Sequence, residues 1–283
     1  NQAPVAICQN TNAFLDATGS VTIAASALNN GSTDNCSGLT FSASQTTFGC
    51  GDIGAVPVTL TVTDAGGNTD DCSANVNVAD GLPPSAVCQN HTLVLNGSGS
   101  ATLTVANVNN GSTDNCGISS MSLSKTAYTC GDIGTSSVTL TVNDINGNSS
   151  TCMADITVED SETPVINCPF NIVECADDAS GKIITYAAPT GSDNCSFSIT
   201  QTDASGLTSG STFPVGSTPQ TYTITDSPTG NSTSCTFTVT INALPVADFS
   251  YSAACQGEAV FFSDESTVDA STSIAFWTWN MGD

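Results

Sequence analysis

Residues 58–80 read VTLTVTDAGGNTDDCSANVNVAD, and residues 138–160 read VTLTVNDINGNSSTCMADITVED. Val58, Leu60 and Val62 alternate with Thr59, Thr61 and Thr63. That is one apolar and one polar face at period two, the pattern of a half-buried strand. Cys72, Ala74, Val76 and Val78 alternate in the same way. Between the two runs lies Asp-Ala-Gly-Gly-Asn, rich in residues that tolerate the positive φ of a tight reversal. The stretch predicts a β-hairpin. Val21 and Ile23, then Leu39, Phe41 and Ala43, mark earlier strands, and no convincing amphipathic helix is present.

The hairpin belongs to a repeat. Cys8, Cys36, Cys50 and Cys72 recur 80 residues later as Cys88, Cys116, Cys130 and Cys152. NNGSTDNC occupies 29–36 and 109–116, and CGDIG occupies 50–54 and 130–134. A diverged third copy spans about 163–242 and keeps PVINC (164–168), SDNC (192–195) and CTFTVTI (235–241). A unit of this length with about seven short strands reads as an immunoglobulin-like β-sandwich. The fold class is therefore all-β, tandem sandwiches placed end to end. Boundaries fall at 1–81, 82–161, 162–243 and 244–283. Pro83, Pro84 and Pro164 stiffen the short links, which predicts a rod on the order of 100–150 Å at ~3.3 Å per strand residue plus loops.

Composition narrows the function. The 283 residues carry 26 acidic and 2 basic side chains, a net charge of −24. Lys125 and Lys182 alone cannot neutralise a phosphate backbone, so nucleic-acid binding is excluded, as is attraction to anionic membranes. No apolar run approaches the ~20 residues that span a bilayer. The 13 cysteines point to an oxidising, extracellular compartment. With no export signal at its start, the chain reads as a mature protein or an excerpt of a longer one, and its C-terminus favours the excerpt.

Four cysteines per copy allow three pairings. The third copy keeps Cys168, Cys195 and Cys235, lacks a counterpart of Cys50, and has Cys175 instead. If one partner was exchanged, the constant pair bridges Cys8–Cys72, Cys88–Cys152 and Cys168–Cys235. The exchanged cysteine then meets the Asp-Asn-Cys one: Cys36–Cys50, Cys116–Cys130 and Cys175–Cys195. Chain entropy makes the long loops worth about 4 kcal/mol and the short ones about 3 kcal/mol. A zinc cluster is the alternative, but there is no Cys-x-x-Cys and His91 is the sole histidine. Cys255 is left over.

The third copy resembles a hyalin repeat (HYR) domain in TPVINCPFNI (163–172), PTGSDNC (189–195) and FPVGSTPQTYTITDSPTGNSTSCTFTVTI (213–241). The first two copies look like a bacterial relative in which CGDIG replaces FPVG. The tail, PVADFSYSAACQGEAVFFSDESTVDASTSIAFWTWNMGD (245–283), resembles the first half of a PKD domain, WTWNMGD matching W-x-W-x-x-G-D. Together the modules resemble the repeat region of giant Bacteroidota surface adhesins, of the SprB gliding type exported by the type 9 secretion system. HYR modules also occur in animal matrix proteins.

No group of residues reads as an active site. His91 stands alone, no serine lies in G-x-S-x-G, and the adjacent pairs Asp70/Asp71 and Asp177/Asp178 point to opposite faces of a strand. Calcium is the stronger candidate, since carboxylates, amides and loop carbonyls are the ligands a hard cation takes. Three acidic positions recur: the hairpin Asp-x-x-Gly-Asn (Asp64, Asp144, and Asp226 with an insertion), the Asp-Asn-Cys loop (Asp34, Asp114, Asp193), and the linker (Asp80, Asp160, Glu162). The hairpin acids also read as ordinary turn caps and Asp34 as an organiser of its disulfide loop, whereas acids at the module joints could lock neighbouring domains. The expected role is non-enzymatic. The chain is a spacer or stalk of a secreted cell-surface adhesin or filament, whose partners are neighbouring modules of the same longer chain. The alternatives are modules that bind surface glycans or other cell-surface proteins, with Trp277 and Trp279 as the available stacking rings, and accessory modules of an exported enzyme.

Overall fold

The first repeat contains six strands: β1 (Thr11–Phe14), β2 (Ser20–Thr22), β3 (Thr40–Ala43), β4 (Thr47–Gly49), β5 (Gly54–Thr63) and β6 (Thr69–Ala79). They are seen in a computed structural model that describes residues 2–253, 255–268, 273–274 and 278–279. The predicted hairpin is β5–β6, antiparallel, with Leu60 opposite Cys72 and Val62 opposite Asp70. Its apolar face is closed off from water: Val58, Leu60, Val62 and Val76 are each 0% exposed. Burying each such side chain contributes about 1.5–3 kcal/mol. The sheet order is β1-β6-β5-β3, β1 running parallel to β6, while β2 and β4 form a separate two-stranded sheet. Phe48 of β4 and Leu28 of a 3-10 turn join the same core. The result is a small sandwich.

The second repeat follows the same plan with β7 (His91–Val94), β8 (Ser100–Thr102), β9 (Ile118–Leu123), β10 (Ala127–Thr129), β11 (Gly134–Asp144) and β12 (Ser149–Glu159), in order β7-β12-β11-β9 beside β10-β8. The third contains β13 (Val165–Asn167), β14 (Ile172–Cys175), β15 (Lys182–Ile183), β16 (Thr190–Ser192), β17 (Ser196–Gln201), β18 (Thr212–Phe213), β19 (Gly216–Ser227) and β20 (Ser232–Asn242). Its main sheet is ordered β14-β20-β19-β17. Beyond it lies a short pair, β21 (Phe249–Tyr251) and β22 (Phe262–Asp264). The chain divides into two compact units, Asn1–Leu93 with Ala101–Glu159, and Val94–Ser100 with Asp160–Asp283.

The third repeat replaces some of its apolar core with a satisfied polar network. Gln220 is 0% exposed, and its Oε1 accepts from Tyr186 OH at 3.1 Å and from Gln201 Nε2 at 3.0 Å. Gln201 Nε2 also donates to Asp203 Oδ2 at 2.9 Å, and Thr221 N donates to the same oxygen at 3.0 Å. Burial opposes the charge on Asp203. The donors from Ser205, Gln201 and Thr221 outweigh it and hold the carboxyl at about 2.

Each repeat direction defines two ends. At the leading end of the first repeat, Val5 bridges Thr33 beside the Asp-Asn-Cys loop, and Ala6 N donates to Asp70 Oδ2 at 2.8 Å. At the trailing end, Gly54 lies opposite Val78, and β6 runs out into the linker.

The disulfides respect these ends. Cys8 is bonded to Cys72, Cys88 to Cys152 and Cys168 to Cys235, each pair with its Cα atoms 5.8 Å apart. The expected Cys36–Cys50 and Cys116–Cys130 bridges are not formed: Cys50 is bonded to Cys116, with Cα atoms 5.4 Å apart. Cys36 belongs to the leading end and Cys50 to the trailing end. The ten residues of β5 span that separation, roughly 30 Å at ~3.3 Å per residue, whereas a disulfide requires Cα atoms within ~7 Å. Cys130 and Cys195 are disulfide-bonded as well, while Cys36, Cys175 and Cys255 are free and exposed. The expected Cys175–Cys195 bridge fails for the same reason. Cys175 ends β14 opposite Asn242 at the trailing end, whereas Cys195 follows β16, which pairs with β13 at the leading end.

Candidate metal centres

The three recurring acidic positions, separate in sequence, converge in space. Asp80 of the first linker, Asp114 of the second Asp-Asn-Cys loop and Asp144 of the second hairpin each bring a carboxylate oxygen to within 4.8 Å of the other two. In the second unit Asp160, Asp193 and Asp226 do the same. Glu162 stands outside the cluster: it is exposed, and its backbone carbonyl accepts from Asn231 Nδ2 at 3.3 Å. Asp34 and Asp64, the counterparts in the first repeat, are in neither triad.

Local hydrogen bonds build each ligand. In the first triad Asp114 Oδ2 accepts from the N–H groups of Cys116 and Gly117, both at 2.8 Å, which folds the loop into an Asx turn. Asp80 Oδ1 accepts from Leu82 N at 3.1 Å and from Asn115 Nδ2 at 3.2 Å. Asp144 Oδ1 accepts from Asn146 N and Asn148 N, and its Oδ2 from Asn148 Nδ2, all at 2.8 Å. Burial opposes the Asp144 charge. The donors of Asn148, Asn146 and Gly147 overcome it, so the carboxyl is held below its usual value and stays ionised.

The other oxygens are orphaned. Asp80 Oδ2, Asp114 Oδ1, Asp160 Oδ2, Asp193 Oδ1 and Asp226 Oδ1 are buried without a hydrogen-bond partner. These side chains are deep: Asp80 is 9% exposed, Asp160 6%, Asp144 3% and Asp226 2%. Unit charges at this spacing repel by on the order of 3 kcal/mol per pair at an effective dielectric of about 20. Neither lysine relieves that charge, since Lys125 pairs with Asp132, and Lys182 pairs with Glu174 at 3.1 Å and Asp177 at 3.7 Å. All-oxygen donors, preorganised and uncompensated, suit a hard divalent cation of the size of calcium. Solvent-open clefts run past Asp114 in one unit and past Asp193 in the other.

The sequence offers the linker acids as a calcium lock between modules, but it does not show that the hairpin and Asp-Asn-Cys acids meet them, nor the amides that join the repeats. Asn115 Nδ2 reaches Asp16 O at 3.1 Å as well as Asp80, and Asn148 Nδ2 reaches Asp80 O and Leu82 O at 3.3 Å. In the second unit Asn194 Nδ2 donates to Asp160 Oδ1 at 3.0 Å and to Asn96 O at 3.1 Å. In the second repeat the whole Asp-Asn-Cys tripeptide therefore serves the joint: a candidate ligand, a bridging amide and a disulfide. The available signal was the co-occurrence of Asp-Asn-Cys with an acid in the preceding linker.

Gly19 is the other missed residue. Its φ is +72°, and a Cβ there would lie 2.7 Å from Asn115 O and 2.9 Å from Cys50 Sγ. Gly19→Ala is expected to lower the urea-unfolding free energy of the first unit by about 2–3 kcal/mol. Gly67→Ala, with φ +86° but no atom within 4 Å, should cost about 1 kcal/mol. Equal costs for the two would mean that the joint is not tightly packed at Gly19.

For the aromatic candidates, Trp279 packs against Phe249 and Phe262 at ring separations of 5.4 and 5.5 Å and is 42% exposed. Trp277 lies outside the described residues. No helix among the described residues is long and apolar enough to cross a membrane.

The third repeat is the part of the chain that a known family model matches. Residues 159–241 match the HYR domain. Hyalin of Strongylocentrotus purpuratus is 34% identical over 195 residues, covering 65% of this chain and 16% of that protein. Hyalin of Lytechinus variegatus is 30% identical over 115 residues, covering 40% of this chain and 21% of that protein. The chain thus spans about a fifth or less of these relatives. Among solved structures, a four-domain extracellular cadherin fragment of protocadherin gamma B7 aligns over 81% of this chain and 76% of its own, at 13% identity and a TM-score of 0.34.

Proposed function

We propose that this chain is a load-bearing spacer of a large secreted cell-surface adhesin or filament. Its modules, bounded at 1–81, 82–161, 162–243 and 244–283, are locked at their joints by calcium and by a disulfide between repeats. The observation that carries this reading is the first joint. There the repeated Asp-Asn-Cys motif binds the trailing end of the preceding repeat through Cys50–Cys116 and the Asn115 amide, and closes an acid triad on Asp80. The most strongly repeated residues serve connection rather than a catalytic cleft. The HYR match at 159–241 and the likeness to hyalin support an extracellular, adhesion-related module. The tail as a PKD domain, and the whole as part of a SprB-type gliding adhesin exported by the type 9 secretion system, are the finer form of the same proposal. They rest on WTWNMGD (277–283) and on the lysine-poor, cysteine-rich repeats.

Force spectroscopy on the full chain tests it. Cys8–Cys72 and Cys88–Cys152 each bridge a sequence separation of 64, a length that cannot extend while oxidised. Reductant is expected to release about 220 Å of hidden length per repeat, at ~3.5 Å per residue. Extension of that size in the oxidised chain would end the load-bearing reading.

A further inference from the structure

The leading end of the first repeat is built like that of the second, but with its joint groups unengaged. Val5 N donates to Thr33 O at 2.7 Å, as Ser85 N does to Thr113 O at 2.7 Å. Ser32 N donates to Asn29 Oδ1 at 2.9 Å, as Ser112 N does to Asn109 Oδ1 at 3.0 Å. Cys36 N donates to Asp34 Oδ2 at 2.8 Å, as Cys116 N does to Asp114 Oδ2 at 2.8 Å. The hairpin carboxylate Asp64 is held by Asn68 N and Nδ2, both at 2.8 Å, as Asp144 is held by Asn148.

In the second repeat these groups meet the first: Cys116 is bonded to Cys50, Asn115 donates to Asp80, and Asp114 and Asp144 converge on Asp80. In the first repeat Cys36 is a free, exposed thiol. Asp34 Oδ1 is buried with no hydrogen-bond partner, and Asp64 is 6% exposed.

We propose that this face is a docking site for the trailing end of a further repeat of the same kind, one whose Cys-Gly-Asp-Ile-Gly loop is unengaged. That repeat supplies a linker aspartate as the third carboxylate to Asp34 and Asp64, and a loop thiol to Cys36. The new Sγ–Sγ bond forms as two thiols give up two protons and two electrons. A small-molecule disulfide takes them up and leaves as two thiols. Neither such loop of this chain is available, because Cys50 is bonded to Cys116 and Cys130 is disulfide-bonded. The inference rests on the joint reading proposed above.

The test is the full chain carrying a duplicate of residues 2–81 fused ahead of residue 2, the duplicate bearing Cys36→Ser so that one Cys36 remains, oxidised with glutathione disulfide, alkylated and mapped without reduction. The expected result is a peptide linking the duplicate's loop cysteine to Cys36, with alkylation of Cys36 falling at least tenfold relative to the unextended chain. Changing the duplicate's loop cysteine to alanine should restore alkylation of Cys36. Cys36 still alkylated in the extended chain, or bonded to Cys50 of its own repeat, overturns the proposal. The Cys50–Cys116 peptide in the same digest separates the two ideas. If it is present while Cys36 is free, docking alone fails; if it is absent, the joint reading fails and docking falls with it.

Discussion

Chelation with EDTA is expected to lower the melting temperature of each unit by about 5–10 °C, and calcium is expected to restore it. A triad of carboxylates in an extracellular module points to a dissociation constant on the order of 10⁻⁴ M. At about 10 mM calcium, roughly a hundred-fold above that, binding to the folded state alone contributes about 2.7 kcal/mol per site. Each kcal/mol shifts a unit of this size by about 2–4 °C. The sign of a mutant effect is more diagnostic than its size. Asp80 Oδ1 is engaged by Leu82 N and Asn115 Nδ2, while Oδ2 is buried with no partner. Asp80→Asn keeps the first set of contacts and replaces the orphaned oxygen with a donor. In EDTA the variant is expected to melt above the parent by a few degrees, because one of three like charges is gone. In calcium it is expected to melt below the parent, because a ligand is gone. Asp160→Asn should repeat the crossover in the second unit, where Asp160 accepts from Asn194 in the same way. A parent chain whose melting is identical in EDTA and calcium would remove the cation from the joint.

Replacing both Cys50 and Cys116 with alanine is expected to cost the first unit about 4 kcal/mol, from the chain entropy of a closed loop whose ends are 66 residues apart. The shape of the transition should change too. With the staple, neither repeat can unfold without constraining the other. Without it, calorimetry is expected to resolve two transitions where the parent shows one. The double variant keeps Cys8–Cys72 and Cys88–Cys152, so each sandwich retains its own bridge. Peptide mapping of the parent is the direct check. A Cys36–Cys50 fragment, or an unchanged single transition in the double variant, would contradict a covalent joint between repeats.

The sandwich was legible because its information is local. Val58, Leu60 and Val62 alternate with threonines, and an apolar face with a turn-forming segment beside it has few ways to be buried other than a hairpin in a sheet. The periods of β6 and β12 are read in the same way. The acids of the candidate centres were legible as residue types, because a recurring carboxylate needs a reason to recur. Their convergence was not, since Asp80, Asp114 and Asp144 belong to a linker, a loop and a hairpin scattered along the chain.

What the sequence by itself determined is the repeating unit, its strands and buried face, its surplus of negative charge and its supply of thiols. All of these follow from periodicity, spacing and composition. What only the tertiary structure decided is who meets whom across the first joint. Strand direction carries Cys36 and Cys50 to opposite ends of one repeat, at about 3.3 Å per residue, and sets Cys50 against Cys116 of the next. A short separation along the chain is no measure of distance: β3 and β4 lie between Cys36 and Cys50, and they cover the span that β5 crosses in ten residues.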